Sequence, residues 1–167
     1  MRHSILILFA LFFLLPLTMC RASQELVPDS EAAQVSRALG VNASAGTVVS
    51  ASDSHGGFHG DGLTFIELSF PDDSFGTSIQ NRWHPLPLSG NLNTFIYGST
   101  GAGPYITQDG VNCFPPVQNG WYYFQDRHSE STDPQSDLKL FQRHSYNVTF
   151  ALYDTDTRTL YYCKFDT

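Results

Sequence analysis

An unbroken apolar run from Ile5 to Leu17 follows Arg2 and His3 at the start of this 167-residue chain. A helix that crosses a bilayer needs about 20 apolar residues, so this shorter run is typical of the core of a secretory signal. Small and polar residues follow the run, as they do at a cleavage site. We therefore expect residues 1–22 to be a signal peptide, and residues 23–167 to fold outside the cytoplasm as a single domain.

The end of this signal has more than one interpretation. Ala22 and the small residue Cys20 favour ordinary cleavage before Ser23, which would release a secreted protein. Residues 17–20 also resemble a lipobox, in which a signal of residues 1–19 is removed and Cys20 is lipidated. Met19 departs from that motif, which has Gly, Ala or Ser at this position. A third interpretation is an uncleaved anchor that holds the domain at the cell envelope.

The charge of the chain narrows the class of partner. Sixteen acidic residues face nine basic ones, which gives a formal net charge of −7 at pH 7. Proteins that bind nucleic acid or anionic lipid need clustered Lys and Arg, so we expect neither kind of partner. The expected partner is a protein, a peptide or a glycan outside the cytoplasm. Contact with a membrane is expected only through an N-terminal anchor.

The pattern of apolar residues predicts an α+β fold, with an antiparallel sheet of five or six strands and one or two short helices packed on one face. Ser30 or Asp29 can cap a first helix that ends at Gly40, and a weaker second helix is expected over residues 72–80. Strands are expected over residues 47–52, 63–70, 92–97, 121–126, 145–153 and 159–165. A polar turn joins the last two strands and predicts a C-terminal β-hairpin.

Two cysteines remain once Cys20 has been removed or lipidated. They are Cys113 and Cys163, and an oxidising compartment favours a disulfide between them. Such a bridge would close a long loop and stabilise the domain by roughly 4 kcal/mol in the chain-entropy model. Two buried thiols are the alternative, because the sequence gives no Cα separation.

The glycine-rich segment over residues 53–62 is the strongest candidate for a site in this sequence. Asp53, His55, His59 and Asp61 supply four side chains that could converge on a divalent cation or a water molecule. The glycines preclude a stable helix, so the spacing of the two histidines does not imply a helical zinc motif. The competing interpretation is a structural connection without a cofactor, whose glycines adopt positive φ and whose histidines bond to the backbone.

Two further segments carry polar or aromatic groups with weaker implications. Residues 126–130 contain acid, base and hydroxyl types, but adjacent residues on a strand point to opposite faces. No nucleophile elbow, helical zinc motif or phosphate loop occurs, so we assign no catalytic residue. The aromatic residues over 83–85 and 121–123 could form a platform for sugars or peptides, although aromatics at strand spacing are usually part of a core.

Four strings of residues carry a resemblance to other proteins: 53–62, 83–88, 126–133 and 153–156. In these strings the chain resembles a group of small, uncharacterised exported proteins of anaerobic Gram-positive bacteria. The resemblance implies an extracytoplasmic location. Many members of the group look like lipoproteins, which favours lipidation of Cys20. It implies no activity and no cofactor. The sequence therefore favours a non-enzymatic binding protein, with a metal- or His-assisted hydrolase built on residues 53–62 as the alternative.

Overall fold

The computed structural model describes residues 30–56 and 60–167, so the predicted signal, Cys20 and His59 lie outside the described residues. The helices are α1 (Glu31–Leu39), α2 (Ser74–Ile79), α3 (Gly90–Tyr97) and a 3-10 helix (Leu140–Gln142). The strands are β1 (Thr47–Asp53), β2 (Gly62–Ser69), β3 (His84–Pro85), β4 (Thr107–Gln108), β5 (Val111–Asn112), β6 (Gly120–Asp126), β7 (Asn147–Asp154) and β8 (Thr159–Asp166). Within the described ranges, the helices are too short or too polar to cross a membrane.

The main sheet confirms the predicted α+β class and the C-terminal hairpin. Six strands pair antiparallel in the order β1-β2-β8-β7-β6-β3, and β4 and β5 form a separate two-stranded sheet. β1 and β2 form a second hairpin, with the glycine-rich segment as its connection. β8 lies between this hairpin and β7, so it joins the two halves of the sheet.

The long strands bury both of their faces, because side chains along a strand alternate between the two sides of the sheet. In β7, Ala151 and Tyr153 belong to a core that also contains Val35 of α1 and Phe75 of α2. Phe150 and Leu152, which alternate with these residues along the strand, belong to a second core, which contains the apolar side of α3. Helices therefore cover both faces of the sheet, where the sequence predicted helices on one face.

Both predicted helices are present, and α2 lies within the expected residues 72–80. Helix capping explains the bounds of the first helix and why one strand prediction was wrong. Ser30 caps α1 by accepting a hydrogen bond from the backbone N–H of Ala33, and Gly40 ends the helix with a φ of 63°, as expected. Residues 92–97 were expected to form a strand but lie in α3. Ser89 caps this helix by accepting from the N–H of Leu92, and the buried residues Leu92, Phe95 and Ile96 have helical spacing.

The predicted disulfide between Cys113 and Cys163 is not present in the structure, where both residues are free thiols. Cys163 lies in the centre of the sheet, paired with residues of β2 and β7, and its side chain is completely buried. Cys113 packs against the same core from a loop and is only partly buried. Burial raises the pKa of both thiols, which keeps them in the protonated, unreactive form.

Candidate binding site

The structure brings together two of the four residues predicted to bind a ligand in the glycine-rich segment. Asp53 Oδ1 accepts a hydrogen bond from the backbone N–H of His55 at 2.8 Å and lies 2.7 Å from His55 Nδ1. His55 Nε2 lies 3.2 Å from Oδ2 of Asp166, at the end of β8. Asp61 is exposed, and His59 lies outside the described residues.

Asp166 links this segment to two cations, one on β8 itself and one directly after β6. Its carboxylate lies 2.7 Å from Nη2 of Arg127 and 3.2 Å from Nζ of Lys164. Burial by itself would raise the pKa of Asp166, but the hydrogen bonds and charges of Arg127 and Lys164 outweigh it and lower the pKa below its ordinary value. Burial would also raise the pKa of Asp53, but the hydrogen bonds and the charge of His55 outweigh it, so the pKa of Asp53 is lowered. We call Asp53, His55, Arg127, Lys164 and Asp166 the His55 cluster.

The geometry of the His55 cluster is that of a polar contact that holds strands together. Both ring nitrogens of His55 face carboxylates, so neither is directed toward a substrate as a general base would be. Gly62 allows the chain to return close to this point, since a Cβ there would lie 2.6 Å from the backbone N of His55. Gly60 has a φ of 72°, as predicted for a structural connection. The ring of His55 bonds to carboxylates, however, where backbone partners were expected.

Apart from Arg127, the polar residues at the end of β6 lie in a different network. Asp126 forms a buried ion pair with Arg143, and Nε2 of His128 lies 3.1 Å from Oγ of Ser145. Neither residue contacts His55, so the acid and base types of residues 126–130 lie apart from the glycine-rich segment. Within residues 30–56 and 60–167, no group of three His, Cys, Asp or Glu side chains is arranged to hold a metal ion.

A cavity of about 260 Å³ between α2, β6 and β7 has the character of a binding site; we call it the α2 cavity. Its lining combines aromatic and neutral polar side chains with one carboxylate: Trp121, Tyr153, Thr77, Gln80, Thr155 and Asp73, together with Gly76. The polar residues from α2 and its cap are exposed at the rim, and Tyr153 is buried beneath them. An apolar wall with a few hydrogen-bonding groups is the usual composition of a small-molecule site.

Strand pairing and one glycine place the two aromatic residues. Trp121 of β6 is directly opposite Tyr153 of β7, so both side chains lie on the face that α2 covers. A Cβ at Gly76 would lie 2.8 Å from Cε1 of Tyr153. Only glycine therefore lets α2 approach the tyrosine ring this closely. Phe75 packs on the same ring, with the ring centroids 5.2 Å apart.

The hydroxyl of Tyr153 is the exceptional group in the α2 cavity. Tyr153 is 1% exposed, and its hydroxyl oxygen has no hydrogen-bond partner among the described residues. Burial raises the pKa of Tyr153, and the nearby carboxylate of Asp73 raises it further, so the hydroxyl is neutral and can both donate and accept. A buried polar group without a partner costs about 1–3 kcal/mol, and such groups are rare in folded proteins.

The aromatic platform considered for residues 83–85 and 121–123 is divided by the fold. Trp83 is buried and packs edge-on against Phe75, while Tyr122 faces the opposite core and stacks on His84. Trp121 is the one member of this set that lines the α2 cavity. Sequence reasoning did not find the remaining lining residues, because they come from segments that are distant in sequence.

Comparison with known proteins adds no family to this description. Neither a protein-family model, nor a curated protein, nor a solved structure matches the chain.

Proposed function

We propose that this chain is an exported, non-enzymatic binding domain whose ligand occupies the α2 cavity. The observation that carries the proposal is the hydroxyl of Tyr153, which is buried without a partner beside a cavity that Tyr153 and Trp121 line. A ligand that bonds to this hydroxyl would remove the cost of leaving it unpaired. The neutral polar side chains at the rim would then orient the ligand.

The proposal places the domain outside the cytoplasm. It rests on the apolar run from Ile5 to Leu17, which predicts a signal over residues 1–22 or, with lipidation of Cys20, over residues 1–19. The net charge of −7 supports a protein, peptide or glycan partner over nucleic acid or an anionic lipid surface.

The His55 cluster supports a structural role for the glycine-rich segment better than a hydrolytic one. A His-assisted hydrolase needs a ring nitrogen that reaches the substrate or its attacking water. In the His55 cluster, Asp53 and Asp166 occupy positions beside both ring nitrogens. The cluster instead connects the end of β1 to β8 and to Arg127, which follows β6 and also donates to Thr149 and Val148 of β7.

Ligand screening with two matched variants tests the location of the site. The full chain is expressed in an exporting host, and the processed protein is screened against glycan and peptide libraries by thermal shift. We expect hits that disappear in Trp121→Ala and persist in Tyr122→Ala, because Tyr122 lies on the same strand but faces the opposite core. Hits that persist in Trp121→Ala and disappear in His55→Asn would overturn the proposal and favour the glycine-rich segment as the site.

A further inference from the structure

We infer that the α2 cavity binds one neutral sugar ring, as found at the end of a glycan or along its chain; this inference rests on the proposed function. Size supplies the first argument. The cavity volume of about 260 Å³ is below the range of about 300–1,000 Å³ that is typical of sites for drug-sized molecules. A single ring-sized unit is therefore the appropriate occupant.

The lining of the cavity matches the two surfaces of a pyranose. One face of a pyranose ring carries C–H groups, which pack on the electron-rich face of an aromatic ring such as the half-buried indole of Trp121. The edge of the sugar carries hydroxyl groups, each of which donates and accepts hydrogen bonds. Thr77, Gln80 and Thr155 offer neutral partners for these hydroxyls near the cavity mouth, and the unpaired hydroxyl of Tyr153 is buried beside the cavity.

Charge at the rim favours a neutral ligand over a charged one. Asp73 is the carboxylate of the lining, and its Oδ1 lies 3.2 Å from Nε of Arg158. Because the charge of Asp73 is balanced by Arg158, an ammonium ligand gains little at this carboxylate. An anionic ligand is opposed by the net charge of −7. A polyol without charge fits both conditions.

Tryptophan fluorescence and saturation-transfer NMR test this inference on the processed protein, obtained by expressing the full chain in an exporting host. The probes are methyl β-glucopyranoside, methyl β-galactopyranoside and N-acetylglucosamine, with glucuronic acid and lysine methyl ester as charged counterparts. The chain contains two tryptophans, so a Trp83→Phe background leaves Trp121 as the reporter. We expect at least one neutral sugar to change the fluorescence emission of Trp121 with a millimolar Kd. The charged probes should bind more weakly.

Three variants connect such binding to the cavity. Trp121→Ala should abolish sugar binding, as monitored by NMR. Tyr153→Phe should weaken it roughly five- to tenfold, which is the loss expected for one hydrogen bond. Tyr161→Phe should leave it unchanged, because Tyr161 packs on the opposite core.

The possible results separate this inference from the proposed function. Binding of lysine methyl ester or of a library peptide that requires Trp121, without binding of any neutral sugar, would overturn the sugar assignment and leave the binding function in place. Absence of any ligand that depends on Trp121 would overturn both. Sugar binding that survives both Trp121→Ala and Tyr153→Phe would overturn the assignment to the α2 cavity.

Discussion

Replacing Tyr153 by Phe should stabilise the ligand-free protein, which is the reverse of the usual effect of deleting a buried hydroxyl. The hydroxyl is buried and has no partner among the described residues, so Tyr153→Phe removes a desolvation cost without breaking a hydrogen bond. That cost is about 1–3 kcal/mol, and we expect the free energy of unfolding to increase by at least ~1 kcal/mol. For a domain of this size, the gain corresponds to a rise of about 3 °C or more in Tm.

Tyr97→Phe is the matched control for this substitution. The hydroxyl of Tyr97 donates to the carbonyl oxygen of Pro115 at 2.9 Å, so its deletion should lower the free energy of unfolding by about 0.5–1.5 kcal/mol. Urea denaturation of both variants gives the two values. If Tyr153→Phe destabilises the protein as much as Tyr97→Phe does, the Tyr153 hydroxyl is satisfied in the free protein and the central argument for the α2 cavity fails.

Three further predictions concern the packing of α2, the buried ion pair of Asp126 with Arg143, and the His55 cluster. Gly76→Ala should cost about 1–3 kcal/mol, because its Cβ would lie 2.8 Å from the ring of Tyr153, whereas Gly90→Ala, with open space around it, should be neutral or slightly stabilising in thermal unfolding. Arg143→Met should cost about 3–5 kcal/mol by leaving the buried carboxylate of Asp126 unpaired, and the added change Asp126→Asn should restore part of the loss in urea denaturation. Asp166 has a lowered pKa in the folded state, so its stabilising contribution is complete above the unfolded pKa of about 3.9 and is lost as the pH falls through the folded value. Asp166→Asn should therefore destabilise the protein at neutral pH and approach the wild type in strong acid; an equal difference at both pH values would contradict this account.

Local signals predicted the elements that depend on neighbouring residues. The cap at Ser30, the left-handed Gly40 and the polar turn after β7 are each encoded within a few residues, and all three are found in the structure. Residues 92–97 were assigned to a strand because they are rich in aromatic and β-branched types. The cap from Ser89 and the helical spacing of the buried residues determine the helix instead.

The candidate site could not be predicted from the sequence for a different reason. Its parts come from α2, from Trp121 and from Tyr153 with Thr155, which are separated by tens of residues and meet only through the pairing of β6 with β7 and the packing of α2. Nothing in the residues around Tyr153 predicts a buried hydroxyl without a partner, because a tyrosine in an apolar strand is usually satisfied. The composition of the glycine-rich segment predicted a ligand site, whereas in the structure its side chains hold strands together.

The position of β8 determines when the sheet can be completed. The β1–β2 hairpin has no connection to β7 and β6 in the main sheet except through β8, so neither half of this sheet can be joined before residues 159–166 are in place. A chain synthesised from its N-terminus keeps both halves separate until this strand has been made. Completion of the sheet is therefore a late event in the synthesis of the chain.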